Sequence, residues 1–219
     1  MNRLAIFDCD GTLVDSGNTI CLAMEDCFAQ AGLPAPCRSR TRRVVGLSLV
    51  EAMRAMLPET EHEIHLALAQ DYKRAFQRLR SNGLVEEPLY EGVADLIEAL
   101  DSDGWLLGVA TGKSDRGLAH CLDTHGLTRR FITLQTADRH PSKPHPSMVD
   151  QAMADAGASP ETTMMIGDTS FDMAMARSAG VTAVGVGWGY HEPQELLAAG
   201  AHHIAAHPLD ILNLVRAPA

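Results

Sequence analysis

The sequence predicts an α/β fold in which a parallel β-sheet is covered by helices on both faces and a helical unit is inserted after the first strand. Two features predict this architecture. Apolar runs of strand length alternate with helix-like stretches along most of the 219 residues, and strands buried on both faces of a parallel sheet have such continuous apolar character. Residues 15–82, in contrast, contain helical patterns and no convincing strand, which predicts a separate helical unit.

The predicted elements follow one another in a simple order. The first strand, Arg3–Phe7, ends at the acidic segment Asp8-Cys9-Asp10-Gly11-Thr12. The inserted helices are predicted over residues 19–31, 48–57 and 61–80. Further core strands are predicted over residues 105–110, 162–166 and 181–186, with helices over 93–100, 114–124, 146–156 and 171–179, and a weaker strand and helix over 203–206 and 209–215. We therefore expect a Rossmann-like parallel sheet core formed by residues 1–14 and 83–219, and a helical domain formed by residues 15–82.

Composition and charge exclude several classes of partner. An apolar fraction of 46% and a charged fraction of 21% are those of an ordinary globular protein. The net charge of −10 argues against a nucleic-acid partner that is held through a broadly basic face. No stretch approaches the roughly 18 consecutive apolar residues of a membrane-spanning helix, so we expect no membrane partner. The first residues lack the apolar core of a signal peptide and the five cysteines form no C-x-x-C pair, so we expect reduced thiols and a cytoplasmic protein.

Two pairs of aspartates follow predicted strands. Asp8 and Asp10 come directly after the first strand, where alternation can put both carboxylates on one side, although an Asx-type turn would also explain them. Asp168 follows the strand predicted over 162–166, and Asp172 lies at the start of the next helix, where helix capping is the alternative. Because ligands bind at the carboxyl ends of strands in α/β sheets, the two pairs can meet there. Converging carboxylates repel one another without a cation, and a set of oxygen ligands favours Mg²⁺.

Two further segments could hold an anion next to these acids. Thr111 and Gly112 end the second core strand, and the backbone amides of such a turn can bind an anion. Lys143 lies in the proline-stiffened segment Ser142-Lys143-Pro144, before another helix. A capping role for Thr111 and a solvated charge for Lys143 are the alternatives to phosphate binding.

Taken together, these segments resemble the haloacid dehalogenase superfamily of phosphohydrolases. The matching motifs are Asp8-x-Asp10-Gly11-Thr12, Thr111-Gly112-Lys113, Lys143-Pro144 and Gly167-Asp168-x-x-x-Asp172. The helical insertion resembles the cap of the subgroup that contains phosphoglycolate phosphatase and β-phosphoglucomutase, and the phosphoglycolate phosphatase branch is the nearer likeness. We therefore expect the haloacid dehalogenase fold, with residues 15–82 as a helical cap.

The resemblance implies roles for the motif residues. Asp8 would be the nucleophile that forms an aspartyl-phosphate. Asp10 would protonate the leaving oxygen and then activate the water that hydrolyses the intermediate. Thr111 and Lys143 would hold the transferring phosphoryl group. The remaining residues expected to bind phosphate are Gly11 and Gly112.

The same resemblance implies Mg²⁺ as the cofactor. An Asp8 oxygen, the Asp10 backbone carbonyl and Asp168 would hold the ion, and Asp172 would support it directly or through water. We expect a Mg²⁺-dependent phosphatase that acts on a small anionic phosphorylated metabolite, either phosphoglycolate-like or a sugar phosphate. A β-phosphoglucomutase-like phosphomutase and a non-catalytic regulatory module with the same fold are the alternatives. Whether the protein is a monomer or a dimer is left open.

The helical insertion also carries a cluster of arginines. Arg38, Arg40, Arg42 and Arg43 precede Gly46, in a region where cap residues of the family often approach substrate. Arg43 and Gly46 are therefore candidate substrate-binding residues. A mildly basic lid above an acidic core would favour substrates with a second anionic group, such as a carboxylate. A solvated arginine face is the alternative.

Overall fold

A computed structural model describes residues 2–216 of the chain. Within them, parallel strands form one six-stranded sheet in the order β3-β2-β1-β4-β5-β6. The strands are β1 (Asn2–Phe7), β2 (Leu106–Thr111), β3 (Thr133–Thr136), β4 (Ala158–Gly167), β5 (Thr182–Val186) and β6 (His203–Ala205). The predicted α/β fold with a parallel sheet is therefore confirmed.

Helices occupy the connections between the strands. The insertion after β1 contains α1 (Gly17–Gln30), α2 (Arg38–Arg42), α3 (Leu49–Met56) and α4 (His62–Ser81). The helices of the core are α5 (Val93–Ser102), α6 (Asp115–Thr124), α7 (Ser147–Ala156), α8 (Ser170–Ala179), α9 (Pro193–Ala198) and α10 (Asp210–Arg216). Strands thus alternate with helices throughout the core, as the apolar pattern predicts.

The sheet buries apolar side chains on both faces, as a parallel sheet between helices does. Successive residues of a strand point to opposite faces, so Phe7 lies in one apolar cluster with Val109 and Ile166, whereas Ile6 lies in a second cluster with Met165. Helices α5, α6 and α10 contribute to the first cluster, and α7, α8 and α9 contribute to the second. The end of β1 therefore lies inside the molecule and not at a sheet edge.

The inserted helices bury an apolar cluster of their own. This cluster includes Met24 and Phe28 of α1, Met53 of α3, and Leu68 and Tyr72 of α4. Its buried members all belong to residues 20–75. The predicted division into a core of residues 1–14 and 83–219 and a cap of residues 15–82 stays a prediction, and this separate cluster supports it.

Three short elements escape the sequence pattern. Strand β3 has the sequence Thr-Leu-Gln-Thr and lies at an edge of the sheet, so it lacks the apolar run that marks the other strands. Helices α2 and α9 have five and six residues, too few to display a helical period. Strand β4 begins at Ala158, earlier than predicted, because Pro160 and Glu161 interrupt the apolar pattern of its first half.

The register of the central strands determines which residues reach the carboxyl edge of the sheet. Phe7 of β1 pairs with Val109 of β2 and with Ile166 of β4. The residues that follow these three strands therefore meet at one edge, which is where α/β sheets bind ligands.

Candidate active site

Three of the four predicted aspartates meet at this edge. Asp8 follows β1, Asp168 follows β4, and Asp172 lies in the first turn of α8. One carboxylate oxygen from each lies within 4.8 Å of those of the other two, and all three residues are buried. Alternating strand and helix geometry thus produces a compact acidic cluster from residues far apart in sequence.

The ammonium group of Lys143 lies inside this cluster. Its Nζ atom is 2.9 Å from Asp8 Oδ1 and 2.6 Å from Asp172 Oδ1, and its side chain is fully buried. Although burial lowers the pKa of Lys143, the two carboxylates raise it above its ordinary value, so the residue stays charged. The alternative of a solvated surface charge at Lys143 does not agree with this position.

The cluster carries more negative charge than one lysine balances. Burial raises the pKa of Asp8 to about 7; Lys143 opposes this rise, and Asp172 adds to it. Burial, Asp8 and Asp172 raise the pKa of Asp168 well above its usual range. Within the described part of the chain, Asp8 Oδ2 is buried and has no hydrogen-bond partner. Excess negative charge on three converging carboxylates fits a small divalent cation with oxygen ligands, such as Mg²⁺.

Hydrogen bonds hold the other two carboxylates in place. Asp168 accepts hydrogen bonds from the hydroxyl of Thr12 at 3.1 Å and from the backbone N–H of Tyr190 at 2.9 Å. Asp172 Oδ2 accepts hydrogen bonds from the backbone N–H of Thr169 at 3.0 Å and from its hydroxyl at 2.7 Å. Asp172 therefore caps α8, as the structural alternative predicts, and it belongs to the acidic cluster at the same time.

Two of the predicted phosphate-binding glycines allow close approaches that no other residue would allow. Gly11 has φ +84°, and a Cβ atom there would lie 2.2 Å from Asp168 Oδ2. Gly112 lies against the cap, where a Cβ atom would lie 2.6 Å from the carbonyl oxygen of Leu47 and 2.8 Å from that of Gly46. Gly46 itself therefore contacts the core, and the cap loop is seated directly on the end of β2.

Asp10 lies in a different environment from Asp8. Its carboxylate accepts a hydrogen bond from the hydroxyl of Ser16 and forms an ion pair with Lys113 Nζ at 2.8 Å. Lys113 also pairs with Glu87 at 2.6 Å, and the three charged side chains are nearly buried. Although burial lowers the pKa of Lys113, Asp10 and Glu87 raise it above its ordinary value. The two catalytic candidates are thus separated into two charge environments.

Ser16 and Glu87 are absent from the site residues that the sequence predicts. Both lie where the chain crosses between core and cap, and the two crossings are joined by a hydrogen bond from Asp15 N–H to the Pro88 carbonyl at 2.8 Å. Neither residue follows a strand or belongs to a recognisable motif. Lys113 does lie in a predicted motif, directly after Thr111 and Gly112, but its contact with Glu87 spans 26 residues.

Thr111 is fully buried at the end of β2. Its hydroxyl oxygen accepts a hydrogen bond from the backbone N–H of Lys113 at 3.2 Å. This contact is the capping role that the alternative predicts, and it leaves the O–H free to donate to a ligand oxygen.

Arg43 does not line the site in the way the sequence predicts. Its guanidinium group pairs with Glu195 of α9 at 2.8 Å, and 53% of its side chain is exposed. Arg38 pairs with Glu25, and Arg40 donates to the backbone of Ala55. The expectation that Arg43 binds substrate stays a prediction, and the pairing with a carboxylate on α9, a helix that the pattern does not predict, does not support it. The solvated arginine face describes these residues better.

No helix within residues 2–216 combines the length and apolar character that a membrane span requires.

Comparisons with known proteins indicate the family to which this chain belongs. The family model for haloacid dehalogenase-like hydrolases matches residues 5–186. The probable phosphatase IndB of Dickeya dadantii is 37% identical over 91% of this chain and 87% of that protein. A phosphoglycolate phosphatase of Pseudomonas syringae pv. syringae is 31% identical over 86% of this chain and 71% of that protein.

A solved structure agrees with the family match. The haloacid dehalogenase-like family protein SP0104 from Streptococcus pneumoniae superposes with a TM-score of 0.85 at 27% identity, over 98% of this chain and 99% of that one. The resemblance noted from the motifs is therefore confirmed. With its parallel sheet, its helical insertion and its buried acidic cluster, the chain belongs to the haloacid dehalogenase-like hydrolases.

Proposed function

We propose that the protein is a Mg²⁺-dependent phosphatase that hydrolyses a small phosphorylated metabolite through an aspartyl-phosphate on Asp8. The observation that carries this proposal is the separation of two aspartates that are two residues apart. Asp8 lies in the metal-type cluster with Lys143, whereas Asp10 is held outside it by Ser16 and Lys113. Two carboxylates in different environments suit the two roles of nucleophile and general acid.

In the first step, the carboxylate of Asp8 attacks phosphorus, and the bond between phosphorus and the alcohol oxygen breaks. Asp8 Oδ2 is suited to the attack because it has no hydrogen-bond partner among the described residues. We infer that the Lys143 ammonium group, 2.9 Å from Asp8 Oδ1, and the Thr111 hydroxyl hold the phosphoryl oxygens in this step. Asp8, Asp168, Asp172 and the Asp10 carbonyl would hold Mg²⁺, which would supply further neutralisation of phosphoryl charge.

Asp10 handles the protons in both steps. Its carboxyl group donates a proton to the departing alcohol oxygen, which makes the alcohol a better leaving group. In the second step, the same carboxylate takes a proton from the water that attacks the aspartyl-phosphate. Phosphate then leaves, and both Asp8 and Asp10 return to their starting states.

The named relatives support this reaction. IndB carries the name of a probable phosphatase, and the Pseudomonas protein that of a phosphoglycolate phosphatase. We therefore propose a phosphorylated small molecule, either phosphoglycolate-like or a sugar phosphate, as the substrate.

The test is phosphate release from p-nitrophenyl phosphate with Mg²⁺. We expect turnover by the wild type, loss of turnover in Asp8→Asn, and full turnover in Asp123→Asn, a matched change at an exposed position of α6. Mass spectrometry of acid-quenched enzyme should show a phosphate adduct on the peptide that contains Asp8. Turnover that survives Asp8→Asn would contradict the proposal. Isomerised sugar phosphate without net phosphate release would identify the phosphomutase, and no turnover with any phosphate ester would favour the regulatory module.

A further inference from the structure

A cavity of about 490 Å³ lies between the cap and the core. Helix α4 forms one wall, and the cap loop that contains Gly46 and Leu47 forms another. The core contributes Asp10, Gly112 and Lys113. Cavities of roughly 300 to 1,000 Å³ hold drug-sized ligands, so this space is much larger than a group of a few atoms needs.

The cavity exists with the cap in contact with the core. The carbonyl oxygens of Gly46 and Leu47 touch the position of Gly112 so closely that a Cβ atom would not fit. The backbone N–H of Ser48 donates to the Ser142 hydroxyl at 2.8 Å, which joins the cap loop to the loop that carries Lys143. The volume is therefore not a gap left by a raised cap.

The position of Asp10 shows which part of a substrate enters the cavity. Asp10 lines the cavity, whereas Asp8, Lys143 and Asp168 lie outside it, in the buried cluster. A phosphoryl group held by that cluster would direct its alcohol oxygen toward Asp10. The rest of the alcohol then extends into the cavity.

The cavity wall is suited to a flat apolar group. Tyr72 and Phe76, one turn apart on α4, have ring centroids 6.1 Å apart and both line the cavity. Ile20, Met24 and Leu47 add aliphatic surface beside them. Aromatic side chains favour offset or edge contacts with other rings.

The charges around the cavity do not suit a small carboxylate. The Lys113 ammonium group is already paired with Asp10 and Glu87. Lys73, at the exposed rim, faces Asp138 at 3.9 Å. A carboxylate placed next to Asp10 would lose its hydration and would find the Lys113 ammonium group already paired with Glu87, so its burial would cost free energy.

Among the described residues that line the cavity, the remaining cations are Arg80 and Arg116. The guanidinium group of Arg80 lies over the Phe76 ring, 5.3 Å from its centroid. Arg116 is exposed on α6. The Nε atom of Arg80 is buried and has no hydrogen-bond partner among the described residues, but the contact described for this guanidinium group is with the aromatic wall and not with Asp10.

Of the two substrate classes proposed above, the cavity disfavours the phosphoglycolate-like one, and we propose that this enzyme prefers phosphate monoesters of neutral alcohols that carry a ring or another flat apolar group. This inference rests on the proposed phosphatase function. A glycolate leaving group fills the space of only a few water molecules, at roughly 30 Å³ each, so most of the cavity would stay filled with water. A ring against Tyr72 and Phe76 displaces that water and gains apolar contact.

The test compares benzyl phosphate with ethyl phosphate and phosphoglycolate, since all three are esters of primary alcohols. We expect kcat/KM for benzyl phosphate to exceed both others by about tenfold or more, the size expected when a fitted apolar pocket gains several methylene-sized groups. Equal values, or a higher value for phosphoglycolate, overturn the proposal.

A variant that fills the cavity makes the test specific. Ala69 of α4 is buried and lines the cavity, whereas Ala67 of the same helix is exposed and lies outside it. Ala69→Phe should lower the ratio of kcat/KM for benzyl phosphate to that for ethyl phosphate by about tenfold, and Ala67→Phe should leave the ratio unchanged. Should Ala69→Phe fail to fold, Phe76→Leu removes the aromatic wall at a partly exposed position and should lower the same ratio. An unchanged ratio in the folded variants overturns the proposal.

Binding separates this inference from the proposed function. Calorimetry with benzylphosphonate and methylphosphonate in the presence of Mg²⁺ needs no turnover. Tighter binding of benzylphosphonate that is lost in the Ala69→Phe or Phe76→Leu variant supports the cavity assignment even if no ester is hydrolysed. Equal binding of the two phosphonates overturns it, whatever the result of the turnover assay.

Discussion

The Lys113→Met variant tests the ion pair that holds the proposed general acid. The lost ammonium group lies 2.8 Å from Asp10 and 2.6 Å from Glu87, and its side chain is only 9% exposed. Methionine has a similar length and no charge, so the change removes the ion pairs with little change in shape. The two carboxylates then face each other without a cation.

The change should affect both the stability of the protein and the rate of ester hydrolysis. Removing one partner of a buried ion pair costs about 3–5 kcal/mol of the free energy of unfolding. Proton donation by Asp10 should accelerate the departure of a poor leaving group, such as an alkyl alcohol, by roughly 10²–10⁴-fold. The p-nitrophenolate ion is a good leaving group and gains little from proton donation. We therefore expect kcat/KM for ethyl phosphate to fall about 10²-fold or more, and kcat/KM for p-nitrophenyl phosphate to fall about tenfold or less.

The assay is kcat/KM for the two esters, because this quantity covers only the steps up to formation of the aspartyl-phosphate. Urea unfolding of the same variant measures the free energy of unfolding. Adding Glu87→Gln to Lys113→Met should restore part of the lost stability, because it removes one of the two unpaired carboxylates. Arg130→Met is the control, because Arg130 forms a 2.7 Å pair with Asp101 at an exposed site and should cost no more than about 1 kcal/mol. Equal losses for the two esters would refute the assignment of Lys113 as the residue that positions Asp10.

Three further predictions follow from the site. Burial raises the pKa of Asp8 to about 7, and the pKa of Asp168 is raised as well, so these carboxyls must lose protons when Mg²⁺ binds at low pH. The Kd for Mg²⁺ should therefore rise at least about tenfold for each pH unit below 7, and a pH-independent Kd in calorimetry would contradict this. Arg43→Ala should leave KM for phosphoglycolate unchanged in steady-state assays, because the guanidinium group pairs with Glu195 outside the cavity; a large rise in KM would restore Arg43 as a substrate-binding residue. Gly112→Ala places a Cβ atom 2.6 Å from the Leu47 carbonyl oxygen and should lower kcat/KM by about 10²-fold by displacing the cap loop, whereas unchanged kinetics would show that the loop moves without cost.

The sequence predicts the sheet and the acidic cluster because both depend on local patterns. Apolar runs mark the central strands, and acidic residues directly after β1 and β4 must meet once those strands are parallel neighbours. The edge strand β3 is missed because its threonines and glutamine carry no apolar run. Its position depends on pairing with β2, which no local pattern records.

The directions in which side chains point explain the other differences between the predicted and the observed site. A cluster of arginines indicates positive charge, but it does not indicate whether Arg43 turns toward the cavity or toward Glu195. Glu87 escapes prediction for a related reason, since its contact with Lys113 joins a chain crossing to the end of β2. Such contacts depend on how the cap packs against the core, and the spacing of charged residues along the sequence does not predict that packing.

The close contact between the cap loop and Gly112 also limits which substitutions relatives of this protein can accept at this position. Two backbone carbonyls of the cap occupy the space that any side chain at position 112 would need. A relative with a larger residue there must therefore have a cap loop of different conformation, and so a cavity of different shape. Changes at the end of β2 and in the loop at Gly46 and Leu47 are thus expected to arise together, which makes this pair of segments a joint marker of substrate choice.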